Sequence, residues 1–155
     1  MYIDSEMKRY VFLSVLIALS FAGCRSPKLI YNAVGIHDDA NSITLRCNGY
    51  GKSEADAVAD AGRYAVEQLL FRGVPNSNQR NPLIGTDEST AKKQYKTYID
   101  DFFNNERYLT FLTLTTPIGS GKDRGTYWTE ADITINLRAL RMDMEQAGVI
   151  RKFGL

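Results

Sequence analysis

The chain is short of the residues from which most enzymatic sites are built. It has a single histidine, His37, among 155 residues. That excludes a two-histidine metal site and makes a Ser-His-Asp relay an improbable reading. Nineteen basic residues against eighteen acidic ones leave a formal charge of +1, so no global basic excess draws the protein onto nucleic acid. There are two cysteines, Cys24 and Cys47. The longest apolar run, Val11 to Ala22, has 12 residues, short of the roughly 20 needed to span a bilayer as a helix. No internal repeat or low-complexity segment is present. What remains is ordinary for a folded domain: 44% hydrophobic and 24% charged residues, on a length that suits one domain.

The amino-terminal segment says most. Lys8 and Arg9 precede the apolar run, which only Ser14 and Ser20 interrupt. A basic stretch followed by a short apolar one reads as a secretory signal. Asp4 and Glu6 do not suit such a leader, so translation is expected to start at Met7. The run ends in Ser20-Phe21-Ala22-Gly23-Cys24, which resembles the lipobox of bacterial lipoproteins. The resemblance implies that Cys24 is the first mature residue, with a diacylglycerol on sulfur and a further acyl chain on nitrogen. Two or three acyl chains hold a protein on a membrane where one does so marginally. The other readings are a plain secretory signal and a short hydrophobic helix with a chance cysteine. Arg25, where an Asp would retain the protein at the inner membrane, implies export to the outer membrane in enteric-type sorting; the periplasmic face is expected ahead of the cell surface. The expected organisation is a signal over 1–23, a lipidated tether over 24–42 that includes His37, and one domain over 43–155. Cleavage leaves Cys47 as a lone thiol, unable to form an internal disulfide. It alternates with Ile43 and Leu45 and reads as a small buried hydrophobe.

From Ile43 to Asn48 apolar and polar residues alternate, as in a half-buried strand. Gly49 and Gly51 turn the chain, and Ser53 caps a helix, with Asp56 completing a capping-box pattern. Ala55 to Leu70 carry an apolar stripe at helical spacing, small in its first half, which Gly73 and Pro75 end. Residues 74–85, rich in Asn, Pro, Gly and Ser, read as a loop long enough to be mobile or functional. A second helix is expected from Asp87 to Phe103, with an aromatic stripe of Tyr95, Tyr98, Phe102 and Phe103. Tyr108 to Thr116 reads as a strand stopped by Pro117, and Gly119 to Gly125 as a hairpin loop. Thr126 to Leu137 is the clearest strand, with Tyr127, Thr129, Ala131, Ile133 and Ile135 on one face. Trp128, Glu130, Asp132 and Thr134 lie on the other. A helix over Arg138 to Gln146 closes the chain. The expected fold is α+β in the order β-α-α-β-β-α, a sheet of about three strands with helices on one face.

A strand entering Asn48-Gly49-Tyr50-Gly51, a helix with Ala55, Ala59 and Ala61, and a hairpin strand with Ala131-Asp132-Ile133-Thr134-Ile135 resemble the Lpp-twenty-type lipoproteins. They also resemble the amino-terminal domain of flagellar assembly protein T. The likeness covers about residues 43–72 and 108–140. It implies a small envelope module of the periplasm or outer membrane, with a role in assembly and no known chemistry.

Candidate chemistry is sparse. Gly49-Tyr50-Gly51-Lys52-Ser53 invites a phosphate-loop reading, but the required first glycine is replaced by Arg46. A tight turn and a capped helix account for every residue of the motif. Glu130 and Asp132 share a strand face about 7 Å apart, a pairing that can serve sugar hydrolysis or calcium binding but more simply marks a solvated face. Trp128 on the same face is the best contact residue, since a tryptophan buries much area and keeps an N–H donor. The leading expectation is a non-enzymatic, lipid-anchored envelope protein contacting a protein partner or its own copies. No metal and no cofactor beyond the covalent lipid on Cys24 is expected. The alternative is a small-ligand or glycan-binding module using Trp128 and the tyrosine-rich second helix. A cell-wall or sugar-acting enzyme using Glu130 and Asp132 ranks third.

Overall fold

The computed structural model describes residues 28–85 and 87–151; the leader and Cys24 lie outside them. The chain is α+β. Strands β1 (Ala33–Asp38), β2 (Ser42–Gly51), β3 (Leu112–Asp123) and β4 (Thr126–Asn136) form one sheet in the order β1-β2-β4-β3. Every pairing is antiparallel. Helices α1 (Glu54–Phe71), α2 (Glu88–Gln94), α3 (Lys96–Asn104) and α4 (Leu137–Gln146) complete the fold, with a short 3₁₀ helix over Arg107–Phe111.

The alternation in β2 and β4 sets the register. Ile43, Leu45 and Cys47 stand opposite Ile135, Ile133 and Ala131, and all six are fully buried. A slip of one residue would turn both sets to solvent, so the pairing is strongly specified. Helix α1 packs on this face against β2 and β4. Ser53 accepts from the backbone N–H of Asp56, whose carboxylate accepts from the N–H of Ser53, so the first turn is reciprocally capped. Ala57, Ala61 and Ala65 lie fully buried along the helix, and the first two meet the glycines of β2. A methyl group on Gly49 would fall 2.1 Å from the Ala57 carbonyl oxygen. One on Gly51 would fall 2.4 Å from the Asp56 Cβ. The Gly-Tyr-Gly segment is therefore where helix backbone rests directly on strand backbone. At the other end of α1, Gly73 has φ +74° and lies against the Arg80 carbonyl, a conformation and a fit that only glycine satisfies.

Phe102 anchors the rest of the core. It is fully buried and stacks on Tyr98 and Phe111, with ring centroids 5.5 and 5.7 Å away. Arg107 ties α3 to α4, donating to Asp101 at 2.8 Å and Asp143 at 2.7 Å while lying over the Tyr98 ring. The Asp101 carboxyl is held below its usual range by these bonds.

Several expectations need correction. The sheet has four strands, not about three, because residues 33–38, expected in the tether, form the edge strand β1. Its alternation is broken by Gly35 and by a register shift between Gly35 and His37, so no period of two is visible. The helix expected over 87–103 is two helices bent at Tyr95 (φ −110°, ψ 31°). No glycine or proline marks that bend. Tyr108 to Phe111 form a 3₁₀ turn, and β3 instead continues past Pro117 to Asp123. Proline is tolerated there because β3 is an edge strand and shifts register beside it. The hairpin shrinks to Arg124 and Gly125, both at positive φ, as a two-residue primed turn requires. The observed order is β-β-α-α-α-β-β-α. The loop over 74–85 is packed: Val74, Ser77, Gln79 and Ile84 are buried. Ser77 donates to the Val74 carbonyl, Asn78 N–H donates to Asp38, and Arg141 donates to Gln79. The segment is a compact Ω-type loop held by its own side chains and by Asp38 and Arg141.

Candidate functional site

Among the described residues no helix covers the second face of the sheet. Its side chains follow from the register. Across the strands, Val34, Arg46, Asp132 and Thr116 make one row, and Asn48, Glu130 and Gly119 the next. Tyr50, Trp128 and Gly121 make a third row near the hairpin end, and His37, Thr44, Thr134 and Leu114 a fourth at the opposite end.

The middle of the face is polar and internally satisfied. Arg46 donates from Nε and Nη2 to the two carboxylate oxygens of Asp132, at 2.7 and 2.9 Å. This bidentate fork is the strong form of an arginine–carboxylate pair. It holds the Asp132 carboxyl below its usual range. Asp132 is therefore ionised with both oxygens engaged, which leaves it no proton to donate. Thr44 and Thr134 share a hydrogen bond of 3.0 Å beside it. Glu130 faces Asn48 one row away. Among the described residues no cluster of three His, Cys, Asp or Glu could hold a metal ion.

Trp128 lies flat on its own sheet. A methyl group on Gly121 would meet the indole Nε1 at 2.7 Å, and one on Gly119 would meet Cζ3 at 3.8 Å. The two glycines form the bed on which the ring rests, an arrangement in which an aromatic covers backbone that glycine leaves bare. The ring stays 36% exposed. Around this face stand exposed apolar side chains: Val34 and Ile36 on β1, Leu114 and Ile118 on β3.

Next to Trp128, Tyr50 donates its hydroxyl to the Ile30 carbonyl at 2.7 Å and accepts from the Ile30 N–H at 3.3 Å. Tyr31 packs edge-on against Tyr50 and donates to Asp60 at 2.8 Å. Burial and the Asp60 carboxylate together raise the Tyr31 phenol well above its usual range. The chain entering β1 is thus fastened across the end of the sheet.

Elsewhere, Cys47 is fully buried, and burial pushes its thiol up to about 12, so it is chemically inert in the folded state. A groove of about 780 Å³ runs between α1 and the α2–α3 pair over Ile99 and Phe103. Of its rim charges, Arg63 pairs with Glu67, Lys92 with Glu88 and Lys96 with Asp100, while Lys93 joins no ion pair among the described residues.

Arg46, the partner of Asp132, was readable only as an outward position on β2, since its mate depends on register. The glycine bed under Trp128 had a signal: a two-residue turn at Arg124-Gly125 places 121 opposite 128. The exposed residues of β1 had none, because that strand was not expected. No protein-family model, curated protein or solved structure matches the chain.

Proposed function

We propose that the protein is a lipid-anchored component of a bacterial cell envelope, held at the outer membrane through Cys24, and that it works by contact rather than catalysis. The anchor reading is supported by the sequence Ser20-Phe21-Ala22-Gly23-Cys24 after a basic and apolar leader. The observation that carries the contact role is the sheet face that no described helix covers, together with its edge strands, where Val34, Ile36, Leu114 and Ile118 stand 47–60% exposed around a satisfied polar centre. Apolar groups on a sheet face and along an edge strand favour covering by another protein surface. The Arg46–Asp132 fork speaks against the rival use of Glu130 and Asp132 as a hydrolytic pair, because one carboxylate is already committed.

A photo-crosslinking residue at Leu114 in the full lipidated chain tests this in intact envelopes. The expected result is one discrete adduct, with a protein partner or with a second copy. A uniform absence of adducts at Leu114 and at Ile118 contradicts the contact role.

A further inference from the structure

We infer that the end of the sheet bearing Ile30, Tyr50 and Trp128 rests against the lipid headgroups of the membrane that holds Cys24. The inference deepens the anchor reading and depends on it. It begins from the edge strand β1, which removes most of the expected tether. Ile30 is already pinned by Tyr50, and Tyr31 by Asp60. The Cα of Cys24 is four peptide links from that of Lys28, a span of at most about 14 Å when fully extended. An acylated Cys24 sits at the bilayer surface, so the domain is held close to the bilayer, and the end nearest the bilayer is the one the chain enters.

That end has the composition an interface selects. Leu29 and Ile30 are 46% and 61% exposed. Tyr31, Tyr50, Tyr127 and Trp128 gather there, because β2 ends and β4 begins in register. Tyrosine and tryptophan favour the boundary where one side is apolar and the other wet. Lys52 follows β2, and Lys122 and Arg124 lie in and beside the β3–β4 hairpin, at this end of the sheet, and basic side chains are drawn to anionic headgroups. Asp60 is bonded by Tyr31 and the Tyr50 N–H, and Asp56 by the Ser53 cap; these neutral donors leave both charges in place, so the docking rests on the apolar and aromatic groups rather than on net charge. Asp123 lies 4.0 Å from Arg124, and Glu54 opens α1. The opposite end of the sheet, with Leu114 opposite Thr134, is then held away from the bilayer. Six residues along β4 separate the two ends, about 20 Å.

Trp128 is the only tryptophan and reports directly. The acylated full-length mature protein is reconstituted into vesicles of phosphatidylethanolamine and phosphatidylglycerol. It is compared with the same protein carrying Leu114→Trp in a Trp128→Phe background. The expected result is quenching of Trp128 by a headgroup spin-labelled lipid, with its iodide quenching at least twofold weaker in vesicles than in the soluble Cys24→Ser protein, and that of the indole at position 114 unchanged between the two. Replacing Leu29→Ser and Ile30→Ser, both exposed, is expected to restore iodide access to Trp128 in vesicles. No loss of access at Trp128, or a loss as large at 114, overturns the docking. The intact mass of the same sample separates the two levels. An acylated chain without the asymmetry overturns the docking alone, and an unacylated Cys24 overturns the anchor and the docking together.

Discussion

Gly49 and Ala57 bring two backbones into contact: a single methyl group on Gly49 would stand 2.1 Å from the Ala57 carbonyl oxygen and 2.3 Å from the Ala61 nitrogen. Helix α1 can lie on β2 only because both surfaces are bare at this point. Any side chain at 49 must push the helix off the sheet and open the layer between Cys47 and Ala61. Gly49→Ala is expected to destabilise by about 3 kcal/mol or more, at the upper end of overpacking costs, as read by urea denaturation. Gly85→Ala, where no atom lies within 4 Å, is the matched control and is expected to be near neutral. A stable Gly49→Ala protein would show that the helix is not seated on the strand.

The seat of Trp128 gives a second outcome. Gly121→Ala places a methyl group 2.7–2.9 Å from three indole atoms, and ring atoms of that kind have no flexible end to yield. The indole is expected to lift from the sheet. The emission maximum shifts to the red and acrylamide quenching strengthens, with little change in far-ultraviolet circular dichroism. An unchanged spectrum would mean that the ring does not lie on β3.

The Arg46–Asp132 fork gives a pH dependence of known sign. The Asp132 carboxyl is held below its usual range by the guanidinium. Its contribution is therefore complete above the unfolded value near 4 and is lost as pH falls through the lower folded value. Asp132→Asn is expected to lower the melting temperature at pH 7, with the difference from the unaltered protein closing as pH drops below about 4. A difference that stays constant from pH 7 to pH 3 contradicts the pairing.

Cys47 is expected to resist a thiol-specific disulfide reagent at pH 8 in the folded protein and to react fully in denaturant. Its thiol is pushed up to about 12 by burial, and it lies in the layer under α1 with no exposed surface. Stoichiometric labelling within a minute under native conditions would place it at the surface instead.

How far the sequence could be read follows from these same residues. Strand β4 was legible because every second residue from Thr129 to Ile135 is buried under helices while its neighbours face water, which makes the alternation strict. The Ser53–Asp56 cap was legible because it is local. Strand β1 was not, since an edge strand of six residues with a glycine and a register shift has no periodic face. Pro117 misled for a related reason: it ends a central strand but is tolerated in an edge strand, and edge status depends on the partner order. The bend at Tyr95 follows from tertiary packing of Ile99, Phe102 and Phe103 into the core, since the helical spacing runs straight through it. On the open face, the outward set of Trp128, Glu130 and Asp132 was visible as a set. What each residue does there was decided by its cross-strand partners, Gly121, Asn48 and Arg46. Register couples residues some 90 positions apart, and alternation alone carries no record of it.

Mass spectrometry of the mature amino terminus, from native membranes and with a Cys24→Ser chain beside it, tests the central claim most directly. The account predicts a chain that begins at Cys24 and carries a diacylglycerol on sulfur, with the Cys24→Ser protein unacylated. A native protein that retains residues before Cys24, or begins there with a free thiol, contradicts it.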